Sequence, residues 1–241
     1  MIQTNKLSKS FGRKAVLRAV DLHVPQGQSV ALFGPNGAGK TTLVRIIAGL
    51  SQATSGQVLL GGHDVQKTGD GLRRYIGFVS HNPLLYDSLT AEENLRFFGR
   101  MYDVPSLAQR IDQVLERVGL RARRGDVVRT YSRGMVQRLA IARAILHDPP
   151  ILLLDEPDTG LDQQAADMLR SLLAELASPA ARPQGSGGNR TVLLTTHNLE
   201  RGLEWADRAV VLNGGRVRFD SPTAGLAAAE LRHIYGEIVM N

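Results

Sequence analysis

The sequence predicts an α/β fold with a parallel sheet, an antiparallel β region near the N-terminus and an inserted helical subdomain. Short apolar runs alternate with helical patterns on both sides of the middle of the chain, which is typical of βαβ units. Between them, apolar residues recur about every 3.6 residues from Thr90 to about Leu146, the spacing of a helix. The 241 residues suit a single domain. We expect its parts to be a core at 1–83 and 150–221, a helical subdomain at 84–149, and a C-terminal helix within 222–241.

The N-terminal part predicts strands, then a glycine-rich turn, then a helix. Residues 2–33 are rich in β-type patterns, and the apolar run 30–33 indicates a buried strand. Glycines interrupt the pattern at 34–39 before a helix that Gly49 ends. The apolar face of this helix is expected to comprise Leu43, Ile46 and Ile47. Further short strands are expected at 57–60 and 75–79.

The helical subdomain begins with a recognisable helix start. Thr90 and Glu93 have the spacing of a capping box, in which each side chain bonds the other residue's backbone N–H. A second helix follows, because apolar residues recur there at helical spacing. Its predicted buried stripe comprises Leu107, Ile111, Val114, Leu115 and Val118.

The last part of the chain returns to alternating strands and helices. The runs 151–154 and 191–194 predict strands, separated by a helix over about 162–177 and by a segment, 178–189, whose Pro, Gly, Ser and Ala content indicates a flexible surface connection. Asn213-Gly214-Gly215 between two apolar runs predicts a hairpin. A final amphipathic helix is expected over about 223–236.

The composition limits the kinds of chemistry available. The chain has no cysteine, which excludes disulfides and thiolate metal sites, and its net charge of +6 favours anionic partners. The densest basic stretch, 121–129, contains no aromatic residue on which a base could stack, so we expect no nucleic acid partner.

A phosphate-binding loop is predicted at Gly34-Pro35-Asn36-Gly37-Ala38-Gly39-Lys40-Thr41, followed by Thr42. Glycines allow backbone N–H groups to turn toward phosphates, and the next helix directs its positive end at them. Lys40 would reach the β and γ oxygens, and Thr41 would place a hydroxyl on Mg²⁺. The alternative is a glycine turn with an exposed lysine.

Two carboxylates end the most hydrophobic predicted strand. In open α/β sheets, ligands bind at the carboxyl ends of strands, so Asp155 would face Mg²⁺ and Glu156 the attacking water. Because neighbouring side chains of a strand point to opposite faces, both can serve one site only if the backbone turns there, as Pro157 suggests. The alternative is a helix cap or a solvated turn.

With these motifs, and with Tyr131-Ser132-Arg133-Gly134-Met135 ahead of a helix, the chain resembles an ATP-binding cassette (ABC) ATPase over nearly its whole length. The resemblance implies a P-loop NTPase with a RecA-like core that binds ATP and Mg²⁺. Ser132 and Gly134 match the family signature Leu-Ser-Gly-Gly-Gln, whereas Tyr131, Arg133 and Met135 depart from it. Two such chains would face each other, with Ser132 and Gly134 of one acting on the γ-phosphate held by the other.

Three further positions take roles from the resemblance. Asp162 falls in the family's D-loop at the dimer seam, and His197 falls where the family has a histidine that contacts the γ-phosphate. Phe11 falls where an aromatic ring stacks on adenine. By residue type alone, Asp162 could be a helix cap, His197 a structural residue and Phe11 part of the core. His81 occupies the position of the family's Mg²⁺-approaching glutamine, and because an imidazole is a poor Mg²⁺ ligand, a water-bridged contact or one through Asn82 is expected.

Within the family, residues 80–98 and 131–135 look most like the haem-exporter ATPase of cytochrome c maturation. No apolar run approaches the roughly 20 residues needed to cross a bilayer. We therefore expect a cytoplasmic protein, peripheral on the inner face of the membrane, that works with an integral membrane transporter subunit. The alternatives are an exporter of drugs, lipids or glycans, and a non-transport ABC ATPase acting on nucleic acid or ribosomes. A P-loop kinase or switch GTPase would not explain Ser132, Gly134, Glu156 and His197.

Overall fold

The computed structural model describes residues 1–80, 82–159, 161, 163–177 and 190–240. Its strands are β1 (Ile2–Phe11), β2 (Lys14–Val24), β3 (Ser29–Phe33), β4 (Ser55–Leu60), β5 (His63–Asp64), β6 (Ile76–Val79), β7 (Ile151–Asp155), β8 (Thr191–Thr195), β9 (Arg208–Asn213) and β10 (Arg216–Pro222). Its α-helices are α1 (Lys40–Ile47), α2 (Val65–Thr68), α3 (Ala91–Met101), α4 (Leu107–Arg117), α5 (Arg133–Ile145), α6 (Gln163–Ala177), α7 (Leu199–Trp205) and α8 (Ala228–Met240).

The strands form two sheets. The larger has the order β10-β9-β3-β8-β7-β6, and all its neighbours are parallel except the antiparallel pair β9 and β10. The smaller is antiparallel, in the order β2-β1-β4-β5. The predicted α/β class, with a parallel sheet and an antiparallel region near the N-terminus, is therefore confirmed. Because the sheet strands run parallel, the carboxyl ends of β3, β7 and β8 lie at one edge, where the predicted site residues follow.

The inner strands β3, β7 and β8 of the larger sheet are buried on both faces, which explains their apolar runs. Along β3, Ala31 and Phe33 belong to one hydrophobic cluster, whereas Val30 and Leu32 belong to the other. The first cluster also contains the buried faces of α3, α4 and α5. The second contains α1 and the inner face of the antiparallel sheet. The helical region thus shares a continuous core with one face of the larger sheet.

The helical region forms as its local signals predict. The Thr90 hydroxyl accepts a hydrogen bond from the Glu93 backbone N–H, and the Glu93 carboxylate accepts one from the Thr90 N–H, which confirms the capping box. Ile111, Val114 and Leu115 are buried on α4, as predicted. Its C-terminal end is held by the guanidinium of Arg138 on α5, which donates to the Val118 carbonyl at 3.1 Å.

Three parts of the secondary structure differ from the sequence prediction. β5, α2 and a 3₁₀ helix at 69–75 occupy a stretch for which no element was predicted, and no helix was predicted at the position of α7. The last helix begins at Ala228, not at about 223. The reason is that β10 continues to Pro222 and Thr223 then anchors a turn: its hydroxyl donates to the Ala206 carbonyl at 2.7 Å and its N–H to the Asp207 carbonyl.

Over the residues that the structure describes, no helix has both the length and the apolar composition required to cross a membrane.

Candidate active site

The predicted phosphate loop connects the end of β3 to the start of α1. Gly39 has φ +107°, and a Cβ there would lie 2.7 Å from Cδ2 of Leu17, so only glycine fits. Gly37 has φ +80° and faces open space, which leaves room for a ligand against the backbone. The N–H of Ala38 donates to the Pro35 carbonyl at 3.1 Å and closes the turn. The alternative of a glycine turn with an exposed lysine is wrong, because Lys40 is only 5% exposed.

Lys40 points back across the loop. Its ammonium donates to the Gly34 carbonyl at 2.6 Å and to the Pro35 carbonyl at 3.3 Å. Nζ also lies 4.0 Å from Oε1 of Glu156. Burial lowers the pKa of Lys40, while the negative charges of Glu156 and Asp155 oppose that shift. The loop thus holds a desolvated cation beside backbone N–H groups, an arrangement suited to polyphosphate.

Asp155 is the meeting point of three elements. Its Oδ1 accepts hydrogen bonds from the hydroxyl of Thr41 at the start of α1, at 3.1 Å, and from the hydroxyl of Thr195 at the end of β8, at 2.8 Å. Asp155 is 2% exposed, whereas Thr41 is exposed. The structure thus brings together Thr41 and Asp155, the two residues that the sequence analysis assigns to Mg²⁺, and their role in binding the ion stays a prediction.

Glu156 supplies the backbone turn that the two carboxylates require. Its φ is +51°, in the left-handed region, so the turn lies at Glu156 itself, one residue before Pro157. The strain of about 1 kcal/mol expected for a non-glycine residue there is offset by hydrogen bonds from its N–H to the hydroxyl and the carbonyl of Thr195, at 2.9 and 3.2 Å. Its Oε2 accepts a hydrogen bond from the hydroxyl of Thr159 at 3.2 Å. Both carboxylates therefore remain at one edge of the sheet.

His197 and Phe11 are both exposed. His197 lies in the bend directly after β8, next to the fully buried Thr196. Phe11 ends β1 with 56% of its surface exposed, and the ammonium of Lys9 lies 4.8 Å from the centre of its ring. The alternative that Phe11 is a core residue is wrong, and its free face remains available for stacking. Thr42, in the first turn of α1, is half-buried.

Ser132 and Gly134 begin α5 in the helical region and bond within that helix. The Ser132 hydroxyl accepts a hydrogen bond from the Met135 N–H at 3.3 Å and caps the helix. A Cβ on Gly134 would lie 3.3 Å from Cβ of Ala165 on α6, so a small residue suits this position. Among the residues that the structure describes, no side-chain hydrogen bond links Ser132 or Gly134 to the phosphate loop of the same chain.

Two predicted positions, His81 and Asp162, and the connection 178–189 lie outside the described residues. Beside His81, the hydroxyl of Ser80 donates to the carbonyl of Asn82, whose side chain is exposed.

The sequence prediction missed the hydroxyls that hold the carboxylates. Thr195 and Thr196, both fully buried, bond respectively to Asp155 and Asp158. A signal was present, because two threonines end an apolar strand directly before His197.

The donor set fits the expected Mg²⁺ and ATP. The Thr41 hydroxyl and the Asp155 carboxylate offer hard oxygen ligands, and Mg²⁺ in phosphate sites takes one or two protein ligands together with water and substrate oxygens. Among the described residues, no group of three or more His, Cys, Asp or Glu side chains is placed to hold a metal ion.

Comparisons with known proteins agree with this geometry. The family model described as "ABC transporter" matches residues 17–159. The chain is 33% identical to the linearmycin resistance ATP-binding protein LnrL of Bacillus subtilis, over 90% of this chain and 68% of that protein. It is 36% identical to the Nod factor export ATP-binding protein I of Cupriavidus metallidurans, over 90% and 69%. The dimeric post-hydrolysis structure of the cassette MJ0796 with ADP and Pi superposes with a TM-score of 0.82 at 27% identity, covering 92% of this chain and 99% of that one. This chain therefore belongs to the ABC transporter family and is an ATP-binding subunit with ATPase activity.

Proposed function

We propose that the chain powers export through a separate integral membrane subunit by hydrolysing ATP between Lys40 and Glu156. The observation that carries the proposal is the meeting of three element ends: Lys40 Nζ lies 4.0 Å from Glu156, and Asp155 accepts hydrogen bonds from Thr41 and Thr195. Catalysis of phosphoryl transfer depends mainly on positioning and charge stabilisation, and this arrangement supplies both.

Each residue has a distinct part in the proposed reaction. Lys40 would bind the β and γ oxygens and stabilise charge on the transferred phosphoryl group. Thr41 and Asp155 would hold Mg²⁺, which supplies further charge neutralisation when bound. Glu156, whose carboxylate is partly exposed, would orient the attacking water and accept its proton. His197 would contact the γ-phosphate from the end of β8, and the exposed ring of Phe11 would stack on adenine.

A second copy of the chain would complete the site. The N-terminus of α5 carries an exposed serine cap and a glycine, and a helix N-terminus attracts anions. Ser132 and Gly134 bond within their own helix, so they would meet a γ-phosphate held by a partner copy. Closure of this dimer on ATP, and its release on hydrolysis, would provide the mechanical step. The dimeric state of the related cassette MJ0796 supports this arrangement.

The membrane subunit would dock beside Leu84 and Tyr86. These side chains are 44% and 47% exposed, and Leu84 lines a cavity of about 120 Å³ between the core and the helical region. Part of the cavity wall is apolar, formed by Ile76, Phe78 and Phe98. Such a partly apolar groove suits a short amphipathic helix. Docking there would hold the protein at the cytoplasmic face of the membrane.

The cargo we favour is a drug-like or glycan-type export substrate. The relatives compared above bear the names of a linearmycin resistance protein and a Nod factor export protein, which supports this choice. Haem remains a second candidate, supported only by the sequence resemblance at residues 80–98 and 131–135. The membrane subunit, not this chain, would contact the cargo.

The experiment that tests the proposal is purification of the tagged chain from native membranes in a mild detergent. We expect a hydrophobic integral membrane protein to co-purify in stoichiometric amount and to stimulate ATP hydrolysis. Co-purification with ribosomes or DNA instead, and no membrane protein, would contradict it. Transport assays with the reconstituted complex, using haem, a glycan and a hydrophobic drug, would then assign the cargo.

A further inference from the structure

Asp158 is a buried carboxylate two residues after Glu156. It is 3% exposed, and its Oδ2 accepts a hydrogen bond from the Thr196 hydroxyl at 3.1 Å and lies 3.5 Å from Nη1 of Arg201. Its Oδ1 is buried without a hydrogen-bond partner among the described residues. A buried, incompletely bonded carboxylate lowers stability, so a stabilising role alone does not account for it.

The partners of Asp158 lie on both sides of His197. Thr196 precedes His197, and its hydroxyl accepts a hydrogen bond from the N–H of Asn198 at 3.0 Å. The Asn198 side chain in turn accepts one from the N–H of Arg201 at 3.0 Å and caps α7. These contacts form a ring around the backbone of His197, because each residue bonds to the next and the last pairs with the first. The ring comprises Asp158, Thr196, Asn198 and Arg201.

The same strand end also holds the catalytic carboxylate. The hydroxyl of Thr195 donates to Asp155 and accepts a hydrogen bond from the N–H of Glu156. The two threonines thus bind both halves of the segment 155–158, one through Asp155 and Glu156 and the other through Asp158. With Thr196 bonded to Asp158, the backbone before His197 is fixed relative to Glu156.

We propose that Asp158 is a positioning residue for ATP hydrolysis, which holds His197 in register with Glu156 through Thr196 and Arg201. This inference rests on the proposed roles of His197 and Glu156. Asp158 itself does not touch the substrate. Its carboxylate is the only group among the described contacts that joins the segment after Glu156 to both the strand end before His197 and the helix after it.

The test compares the steady-state kinetics of Asp158→Ala, Thr196→Val and the double variant. Small displacements of catalytic groups are costly, so we expect each single change to lower kcat by about tenfold with the KM for ATP changed less than about twofold. Because both changes remove the hydrogen bond between Thr196 and Asp158, the loss of kcat in the double variant should be smaller than the product of the two single losses. Thr196→Ser keeps the hydroxyl and should restore kcat. If Asp158→Ala does not fold, Thr196→Val, which keeps the shape of the side chain and removes the same hydrogen bond, carries the test.

Thr4→Val is the matched control for loss of a buried threonine. The Thr4 hydroxyl donates to the Val20 carbonyl and accepts from the Leu22 N–H, both at 2.9 Å, in the antiparallel sheet away from the site. Thr4→Val should lower thermal stability without lowering kcat.

A spectroscopic readout is the NMR resonance of the ring protons of His197, one of six histidines. This resonance should shift in Asp158→Ala and not in Thr4→Val.

The outcomes separate the inference from the proposed function. If His197→Ala loses activity while the folded variants that lack the hydrogen bond, Asp158→Ala and Thr196→Val, retain wild-type kcat, the positioning role is overturned and the proposed function stands. An equal loss of kcat in Thr4→Val would also overturn it, since the effect would then be general destabilisation. If His197→Ala retains full activity, the proposed role of His197 is wrong and the positioning role falls with it.

Discussion

The ammonium of Lys40 lies 4.0 Å from the carboxylate of Glu156, although the two residues belong to different motifs of the sequence. The contact joins the phosphate loop to the end of β7. Each side chain compensates the other's charge: Glu156 raises the pKa of Lys40 against the lowering effect of burial. Substitutions at the two positions should nevertheless have different effects, because the proposed role of Lys40 is to bind phosphate oxygens and that of Glu156 is to orient the attacking water.

Glu156→Gln should abolish most ATP turnover and leave nucleotide binding intact. The amide keeps the shape of the side chain but cannot accept a proton from water, so a closed dimer with ATP should accumulate. Phosphate release, ATP binding and size-exclusion chromatography with ATP would measure this. Glu204→Gln, an exposed change on α7, is the control and should be neutral. Wild-type turnover in purified Glu156→Gln would disprove the assignment.

Lys40→Ala should instead weaken ATP binding. Loss of a charged hydrogen bond to phosphate oxygens corresponds to about 1.5–3 kcal/mol, or about tenfold to a hundredfold in Kd. Titration of the purified protein with a fluorescent ATP analogue would measure the change, with Lys67→Ala on the exposed side of α2 as control. An unchanged Kd in Lys40→Ala would show that the loop does not bind the phosphates as proposed.

Much of the fold could be predicted because its signals are local. The apolar runs of β3, β7 and β8 have no polar interruption, as strands buried on both faces require, and the Thr90 capping box specifies the start of α3. The start of α8 could not be predicted in this way. The start of α8 depends on hydrogen bonds from Thr223 to the carbonyls of Ala206 and Asp207. These two residues precede β9 in the chain, so no local sequence signal relates them to α8.

The site shows the same division between local and tertiary information. The phosphate loop and the pair Asp155-Glu156 are each contiguous in the sequence, so each could be recognised from its residue types and spacing. The positive φ of Glu156 and the hydroxyls of Thr195 and Thr196 depend on how β7 and β8 pair. No spacing rule relates residues on two strands, and the supporting contacts were therefore visible only in the structure.

Arg190→Ala should destabilise the protein strongly. The side chain is fully buried, pairs with the Asp148 carboxylate, and donates to the carbonyls of Pro149 and Leu176, each at 3.2 Å. Its removal leaves these acceptors underbonded, at a cost of about 3–5 kcal/mol in the free energy of unfolding. Urea denaturation would measure the loss. Arg232→Ala removes an exposed pair with Glu200 and should change stability by less than about 0.5 kcal/mol.

His147 should make stability fall in mild acid. Burial lowers its pKa from 6.5 to about 4, while a hydrogen bond between Nε2 and the Ile76 carbonyl opposes the shift. Between pH 6.5 and about 4, the imidazole of His147 is protonated in the unfolded state but stays neutral in the folded state. The free energy of unfolding therefore decreases as the pH falls through this window. The loss amounts to about 3 kcal/mol once both states are protonated.

His147→Gln should remove this part of the acid dependence, measured as unfolding free energy across that pH window. His233→Gln, at an exposed position on α8, is the control and should leave the dependence unchanged. A wild-type slope in His147→Gln would show that other groups cause the acid sensitivity.

Leu84→Asp should release the protein from membranes while leaving ATP binding intact. Leu85 packs against the hydrophobic core, whereas Leu84 is 44% exposed and lines the groove. The charge at position 84 would face the apolar part of a docked helix and weaken its binding. Leu84 has φ +53°, a conformation that aspartate tolerates better than most residues, so the change should not unfold the loop.

Membrane fractionation would measure the release of Leu84→Asp, and a thermal melt would measure its stability. Leu85→Asp is the comparison and should lower stability instead. If Leu84→Asp stays with the membrane while Leu85→Asp, still folded, is released, the docking surface lies on the other side of this loop.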